Sequence, residues 1–226
     1  ALGQIAVALP GATAVFRRHK LDFCCGGQIS LREAASQRGL DLDTLLGELG
    51  ALDRVQDTRS TPTAPSALID HILSRFHEVH RAQLPELIRM ARRVEAVHRD
   101  HPAVPAGLAD HLETMHGELL DHMAKEETVL FPMLRRGGNP FVGQPIAVMR
   151  AEHLHHGDSL ARLAALTHDA TPPAGACTTW RALYAGIASL TDDLMQHIHL
   201  ENNLLFPAFE PRPTAVSEHE TACASR

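Results

Sequence analysis

The 226-residue sequence predicts an all-α protein, an up-down-up-down four-helix bundle preceded by a small helical domain, and three observations carry that prediction. From residue 66 onward, apolar residues recur at the 3.6-residue period over four long stretches joined by short Gly- and Pro-rich connections. The motif H-x-x-x-E-x-x-x-L-F-P occurs twice, at His122–Pro132 and at His197–Pro207. A second pattern, H-x-x-H-x-x-x-L, starts at His77 and again at His153, 76 residues on, against 75 for the first pair. The first two long helices therefore resemble the last two, which predicts a pseudo-twofold axis through the bundle.

Taken in order, residues 1–55 read as the small helical domain. Ala12 to His19 can form a short helix, and Asp22-Phe-Cys-Cys-Gly-Gly27 interrupts it. Ser30 with Glu33 forms a capping box for a helix that Gly39 can close. Asp41 caps the next, with Leu42, Leu45, Leu46 and Leu49 on one face. So small a unit has little core of its own and is expected to lean on a neighbour or on a partner in a homodimer. Residues 56–65 are polar and contain two prolines, the chemistry of a linker. The bundle is assigned to 66–209. Its first helix runs from a Ser66 cap to about His98, with Pro85 expected to kink or split it. The second runs from about Ala106 to Arg135, the third from near Pro145 to Thr167, and the fourth from Thr178 to Phe206. Residues 210–226 read as a flexible tail.

Composition narrows the function. With 44% hydrophobic and 21% charged residues the chain can bury a sizeable core, and a net charge of −6 leaves no basic footprint for nucleic acid. No apolar run reaches the ~18–20 residues that cross a bilayer, and no signal segment opens the sequence, so a cytoplasmic protein without membrane contact is expected. Four cysteines without regular spacing form neither a disulfide framework nor a zinc motif. The 16 histidines stand out, because imidazole is the commonest metal ligand and most of them fall on the predicted bundle helices.

On a helix, residues four apart are surface neighbours, so each H-x-x-x-E copy presents an imidazole beside a carboxylate. His77 with His122 and Glu126 forms one half-site, and His153 with His197 and Glu201 the other. Together they could hold two divalent ions in the bundle core, with Glu126 and Glu201 bridging and an oxide or hydroxide offsetting further charge. Glu127 points about 140° away from His122 and is set aside as a ligand. His80, His156 and His199 read as structural, and His98, His101, His111 and His116 as residues of solvated faces. Glu118 and Glu152, beside the ligands, are candidates for moving protons or lining an access path. Cys24 and Cys25 are candidates for thiol redox chemistry or iron transfer, with Arg17, Arg18, His19 and Lys20 near enough to favour thiolate. The two Leu-Phe-Pro tails read as packing.

The Asp22–Gly27 loop, His77 before Gln83-Leu-Pro-Glu86, His122-x-x-x-Glu126, Glu152-His153, Ala176-Cys-Thr-Thr-Trp180 and His197-x-x-x-Glu201 together resemble the repair-of-iron-centres family. Its members are hemerythrin-like proteins with a double-cysteine N-terminal domain. That resemblance implies two non-haem iron ions and a role in restoring iron–sulfur clusters after nitrosative or oxidative stress, by donating iron or by reducing nitric oxide to nitrous oxide. It also implies nitric oxide or dioxygen as small ligands and damaged or apo iron–sulfur proteins as partners. A sensor or carrier of these gases without turnover needs the same ligands, as does an iron-storage or delivery protein. The oxygen-carrying hemerythrins have a fifth His one turn beyond the third-helix ligand, where this sequence has Gly157. The missing imidazole inclines the reading away from an oxygen carrier.

Overall fold

The structure is a computed structural model that describes residues 1–9, 11–52 and 62–210. Most of the expected linker, the tail beyond residue 210 and Cys223 lie outside the described residues. All regular elements among the described residues are helical, with no strand.

Four short helices come first: α1 (Leu2–Ala8), α2 (Ala12–Arg18), α3 (Leu31–Arg38) and α4 (Leu42–Leu52). Local signals set the last two. Ser30 Oγ accepts the Glu33 N–H at 3.1 Å, Gly39 takes a left-handed φ of 64° at the end of α3, and Asp41 accepts the Thr44 N–H at 3.0 Å. The α4 stripe is narrower than expected: Leu45 and Leu49 are buried, whereas Leu46 is exposed. Nothing in the local sequence announces α1, because tertiary contacts hold it. The N–H groups of Leu2 and Gly3 donate to the carbonyls of Ile29 and Gly27 at the end of the Cys loop, at 3.0 and 2.8 Å. The unit leans on the bundle of its own chain: Leu2, Phe16, Leu21, Phe23 and Leu45 join one core with Leu160, Leu163, Ile187 and Leu194.

The bundle's first helix is α5 (Pro65–Ile72), which passes through a π turn (Leu73–His77) into α6 (Glu78–Val97). Next, α7 (Leu108–Lys125) passes through a π turn (Glu126–Leu130) into α8 (Phe131–Arg135). Then come α9 (Gly143–Thr167) and α10 (Thr178–Leu200), the latter ending in a π turn (Glu201–Leu205) and one 3₁₀ turn (Phe206–Ala208). The Ala64 backbone caps α5, with Pro65 at its first position, so the cap falls two residues before Ser66. Pro85 does not split its helix. Its side chain is exposed, so water can satisfy the carbonyl that loses a donor there. Antiparallel neighbours are α6 with α7 and α10, and α9 with α7 and α10.

The core is in two parts. Leu84, Leu112, Leu119, Leu163, Leu183 and Leu190 belong to the larger, and Ile69, Phe76, Leu130, Phe131, Ile146 and Phe206 to the smaller. Between them lies a buried polar layer containing His77, His122, Glu126, His153, His197 and Glu201, each no more than 1% exposed.

Candidate metal centre

The three π turns begin or end on four-helix-bundle residues of that layer. One ends at His77, and the other two start at Glu126 and Glu201. In each of the latter, the Glu carbonyl accepts from the Phe five residues on, Phe131 or Phe206. The next residue is a proline with no N–H to give, Pro132 or Pro207. The repeated Leu-Phe-Pro therefore fixes the wider turn as well as the packing. An extra residue in the turn swings the downstream face while leaving His and Glu four apart on the upstream α-helical register.

The six side chains converge as two pockets. One has His77, His197, Glu126 and Glu201, the other His122, His153, Glu126 and Glu201, with the potential ligand atoms of each within 4.8 Å of one another. Both carboxylates are shared. Glu126 turns Oε2 to His77 Nε2 at 3.3 Å and Oε1 to His122 Nε2 at 3.5 Å, and Glu201 turns Oε1 to His197 Nε2 at 3.2 Å and Oε2 to His153 Nε2 at 3.1 Å. Each pocket thus takes one His from each helical hairpin, rather than both from one as the half-sites of the sequence are drawn.

Behind the ligands stands a ring of acceptors. His77 Nδ1 faces Glu127 Oε1 at 2.7 Å, His122 Nδ1 faces Glu152 Oε2 at 2.8 Å, and His153 Nδ1 faces Asn202 Oδ1 at 2.9 Å. These acceptors put the ring proton on Nδ1, which leaves each Nε2 a bare lone pair. Yet Nε2 of His77 lies 3.1 Å from Nε2 of His197, and Nε2 of His153 lies 3.2 Å from Nε2 of His122. Between His122 and His153, both backed at Nδ1, two lone pairs at that range repel unless a cation lies between them. The spacing is that of two nitrogens about 2.1 Å from one ion and about a right angle apart.

The electrostatics point the same way. Burial, with the His197 ring adding to it, pushes His77 down to about 4, and burial with His153 pushes His122 to about 2, so both imidazoles are neutral and free to ligate at pH 7. Burial and the neighbouring Glu201 drive the Glu126 carboxyl well above the usual carboxylate range. At Glu201 burial is outweighed by His197 and His153, which hold its carboxyl well below it. Both oxygens of Glu126 and Oε2 of Glu201 are buried without a hydrogen-bond partner among the described residues. Two carboxylates in one dry layer need positive charge, and imidazole with carboxylate suits iron, manganese or zinc.

Sequence comparisons agree. The hemerythrin HHE cation binding domain matches residues 68–209, and a domain of unknown function, ScdA_N, matches residues 1–53. An iron-sulfur cluster repair protein YtfE of Dickeya chrysanthemi is 53% identical over 208 residues, covering 91% of this chain and 94% of the relative. Proteins of the same name from Cronobacter sakazakii and an Escherichia coli O81 strain are 51% and 48% identical, again with 91% and 94% covered.

The chain belongs to the repair-of-iron-centres family.

For this family member the remaining candidates fall in two groups. Glu152 touches His122 and is itself held by Lys125 Nζ at 2.6 Å, whereas Glu118 stands one turn away, half-buried, with His155 Nε2 at 3.1 Å. Glu127, set aside as a ligand, lies directly behind one, and its carboxylate is shared with Arg81 at 2.8 Å. The signal for it was present: Asn202 occupies the matching place in the second copy and has the matching role at His153. His80 and His156 are buried beside the pockets, their rings 5.5 Å from His197 and 4.9 Å from His122. His111 is not on a solvated face; it is buried, with Nε2 2.9 Å from the Ser159 carbonyl.

The Cys loop closes on the second pocket. Cys25 Sγ donates to the His153 carbonyl at 3.1 Å, and the Cys24 carbonyl accepts from Asn202 Nδ2 at 3.1 Å. A Cβ on Gly157 would lie 3.5 Å from Cys25 Sγ, so the thiol packs directly against this position of α9. The thiolate expected at this loop is not favoured at Cys24, where the hydrogen bond with Cys25, together with burial and Asp22, raises the thiol well above its usual range. The basic residues are engaged elsewhere: Arg17 with Asp192, Arg18 and His19 with Glu48, and Lys20 with Asp169. Cys177 meets His98 Nε2 at 3.2 Å. No described helix is long and apolar enough to cross a membrane.

Proposed function

We propose that this protein holds two non-haem iron ions on His77, His122, His153 and His197, bridged by Glu126 and Glu201, and that it supports repair of iron–sulfur clusters under nitrosative or oxidative stress. Iron donation, nitric oxide reduction to nitrous oxide, or both would be its means. The observation that carries the reading is the sharing of each carboxylate between two pockets, an arrangement that would hold two ions side by side in a layer with apolar side chains above and below. Bound there, iron supplies open coordination positions for a diatomic gas and electrons for its reduction. The chain's own residues do the rest. Glu127, Glu152 and Asn202 hold the imidazoles in one tautomer, and Phe76, Phe131 and Phe206 stack on His197, His77 and His153 and keep water away. Glu152, part-exposed and touching His122, is placed to pass a proton towards the centre, with Glu118 one turn further out.

Support for the cluster-repair role comes from the names of relatives that this chain matches over nine-tenths of its length. Cys25 lines a groove of about 930 Å³ along α9 and α10 that also reaches Arg38, Asp158 and Met195, a volume suited to a small reductant or a segment of an acceptor protein. Two assays on reduced, iron-loaded protein separate the means. Nitrous oxide formed over repeated cycles with nitric oxide and a reductant shows turnover, and iron passed to an apo-cluster protein in strict absence of both gases shows donation. Reversible gas binding with neither outcome would replace this proposal with a sensor or carrier.

A further inference from the structure

We infer that the two metal pockets are unequal, and that the His77/His197 pocket releases its ion first, because the pseudo-twofold that repeats the ligands does not repeat the acceptors behind them. The inference rests on the two-ion reading above. Glu152 immediately precedes the α9 ligand His153 and backs His122 at 2.8 Å. The matching residue, immediately before His77, is Phe76. Its ring lies parallel to that of His197, with centres 5.5 Å apart and planes 7° apart, and offers no acceptor. His197 Nδ1 is buried and has no hydrogen-bond partner among the described residues. His80, whose ring centre lies 5.5 Å from that of His197, does not take the place of one, since both of its own ring nitrogens are buried and unpartnered.

An acceptor behind a ligating imidazole fixes its ring and raises the basicity of the ligating nitrogen. Removing one lowers metal affinity about 10–100-fold. The His122/His153 pocket has two backed imidazoles, through Glu152 and Asn202, the latter pinned in turn by Arg150 and the Cys24 carbonyl. The His77/His197 pocket has one, through Glu127. Such an arrangement lets one ion leave while the other, with both carboxylates, keeps the bundle closed.

The test is anaerobic release of ferrous iron from the full chain to a coloured ferrous chelator, followed by absorbance. Two phases of equal amplitude are expected, about 10–100-fold apart in rate. Glu127→Gln should speed only the fast phase and Glu152→Gln only the slow one. Phe76→Gln, which offers His197 an acceptor, should slow the fast phase. Phe76 is a core residue, so the two carboxylate variants decide the matter if that protein does not fold. Release of both irons in one phase, or acceleration of the fast phase by Glu152→Gln, would overturn the inference. A chain that takes up no ferrous iron at all would overturn the two-ion reading and this inference with it.

Discussion

Glu126 and Glu127 are adjacent carboxylates with different tasks. Helix geometry decides between them: i+4 puts Glu126 beside His122 and inside the layer, while i+5 sends Glu127 round to the back of His77. Replacing Glu126 with Ala removes an oxygen from both pockets, so iron content should fall for both ions, whereas Glu127→Ala should weaken binding about 10–100-fold and still reach full content at saturating iron. Metal analysis after desalting, at several iron concentrations, distinguishes the two, and full content in Glu126→Ala would contradict the bridging role. Gly157 is the second residue on which much depends. A leucine there collides with the Cys25 thiol, at a cost of about 1–3 kcal/mol, and pushes the loop outward. Melting should drop and Cys25 should react faster with a thiol reagent; unchanged reactivity would show that the loop does not rest on this helix. At this scale the six clustered residues were legible because two repeats named them. The acceptors were not, since an Asn or Glu behind a ligand has no spacing of its own until the partner helix is in place.

The helices themselves were legible from period and breakers, and the π turns were not. One extra residue in a 25-residue stripe shifts its downstream face by about 100°, which a period averaged over the helix absorbs. The clue was the recurrent Phe-Pro, which denies an α-register bond one residue after the π bond forms. Inserting an alanine after exposed Thr128 adds a second extra residue that the π turn has no room to absorb, and should carry Phe131 and Leu134 out of the smaller core, with a large loss of thermal stability. Thr128→Ala, which keeps the register, should cost little. Equal melting of the two proteins would remove the case for the π turn as a structural necessity. Pro85 teaches the complementary lesson: a helix breaker on an exposed face leaves the helix whole, so its position on the stripe matters more than its identity.

For the whole molecule, the broken symmetry is the main feature. The N-terminal unit docks on the second hairpin, where Gly157 stands in place of Arg81 and Asn202 in place of Glu127, and where His199 meets Phe23 with ring centres 5.3 Å apart. An internal repeat reveals where a sequence matches itself, and the docking surface is written in the places where it does not. The buried imidazoles also set how the metal-free protein meets acid. Burial lowers His77 and His199 to about 4, His156 to about 3, and His80 and His122 to about 2, from an ordinary value of 6.5. Each binds a proton more readily when unfolded, so stability is present in full above pH ~6.5 and falls as pH drops towards ~4, by up to about 1.4 kcal/mol per pH unit for each such group. Melting of the metal-free protein between pH 7.5 and 4.5, chosen as about one unit above 6.5 to near the higher lowered values, should show that decline, and a flat profile would contradict the burial of these rings.

All of this turns on two ions sharing two carboxylates. Metal analysis with Mössbauer spectroscopy of anaerobically purified, oxidised protein tests it most directly. The account predicts about two irons per chain, antiferromagnetically coupled through their bridges; a single uncoupled iron, or one zinc, would contradict it.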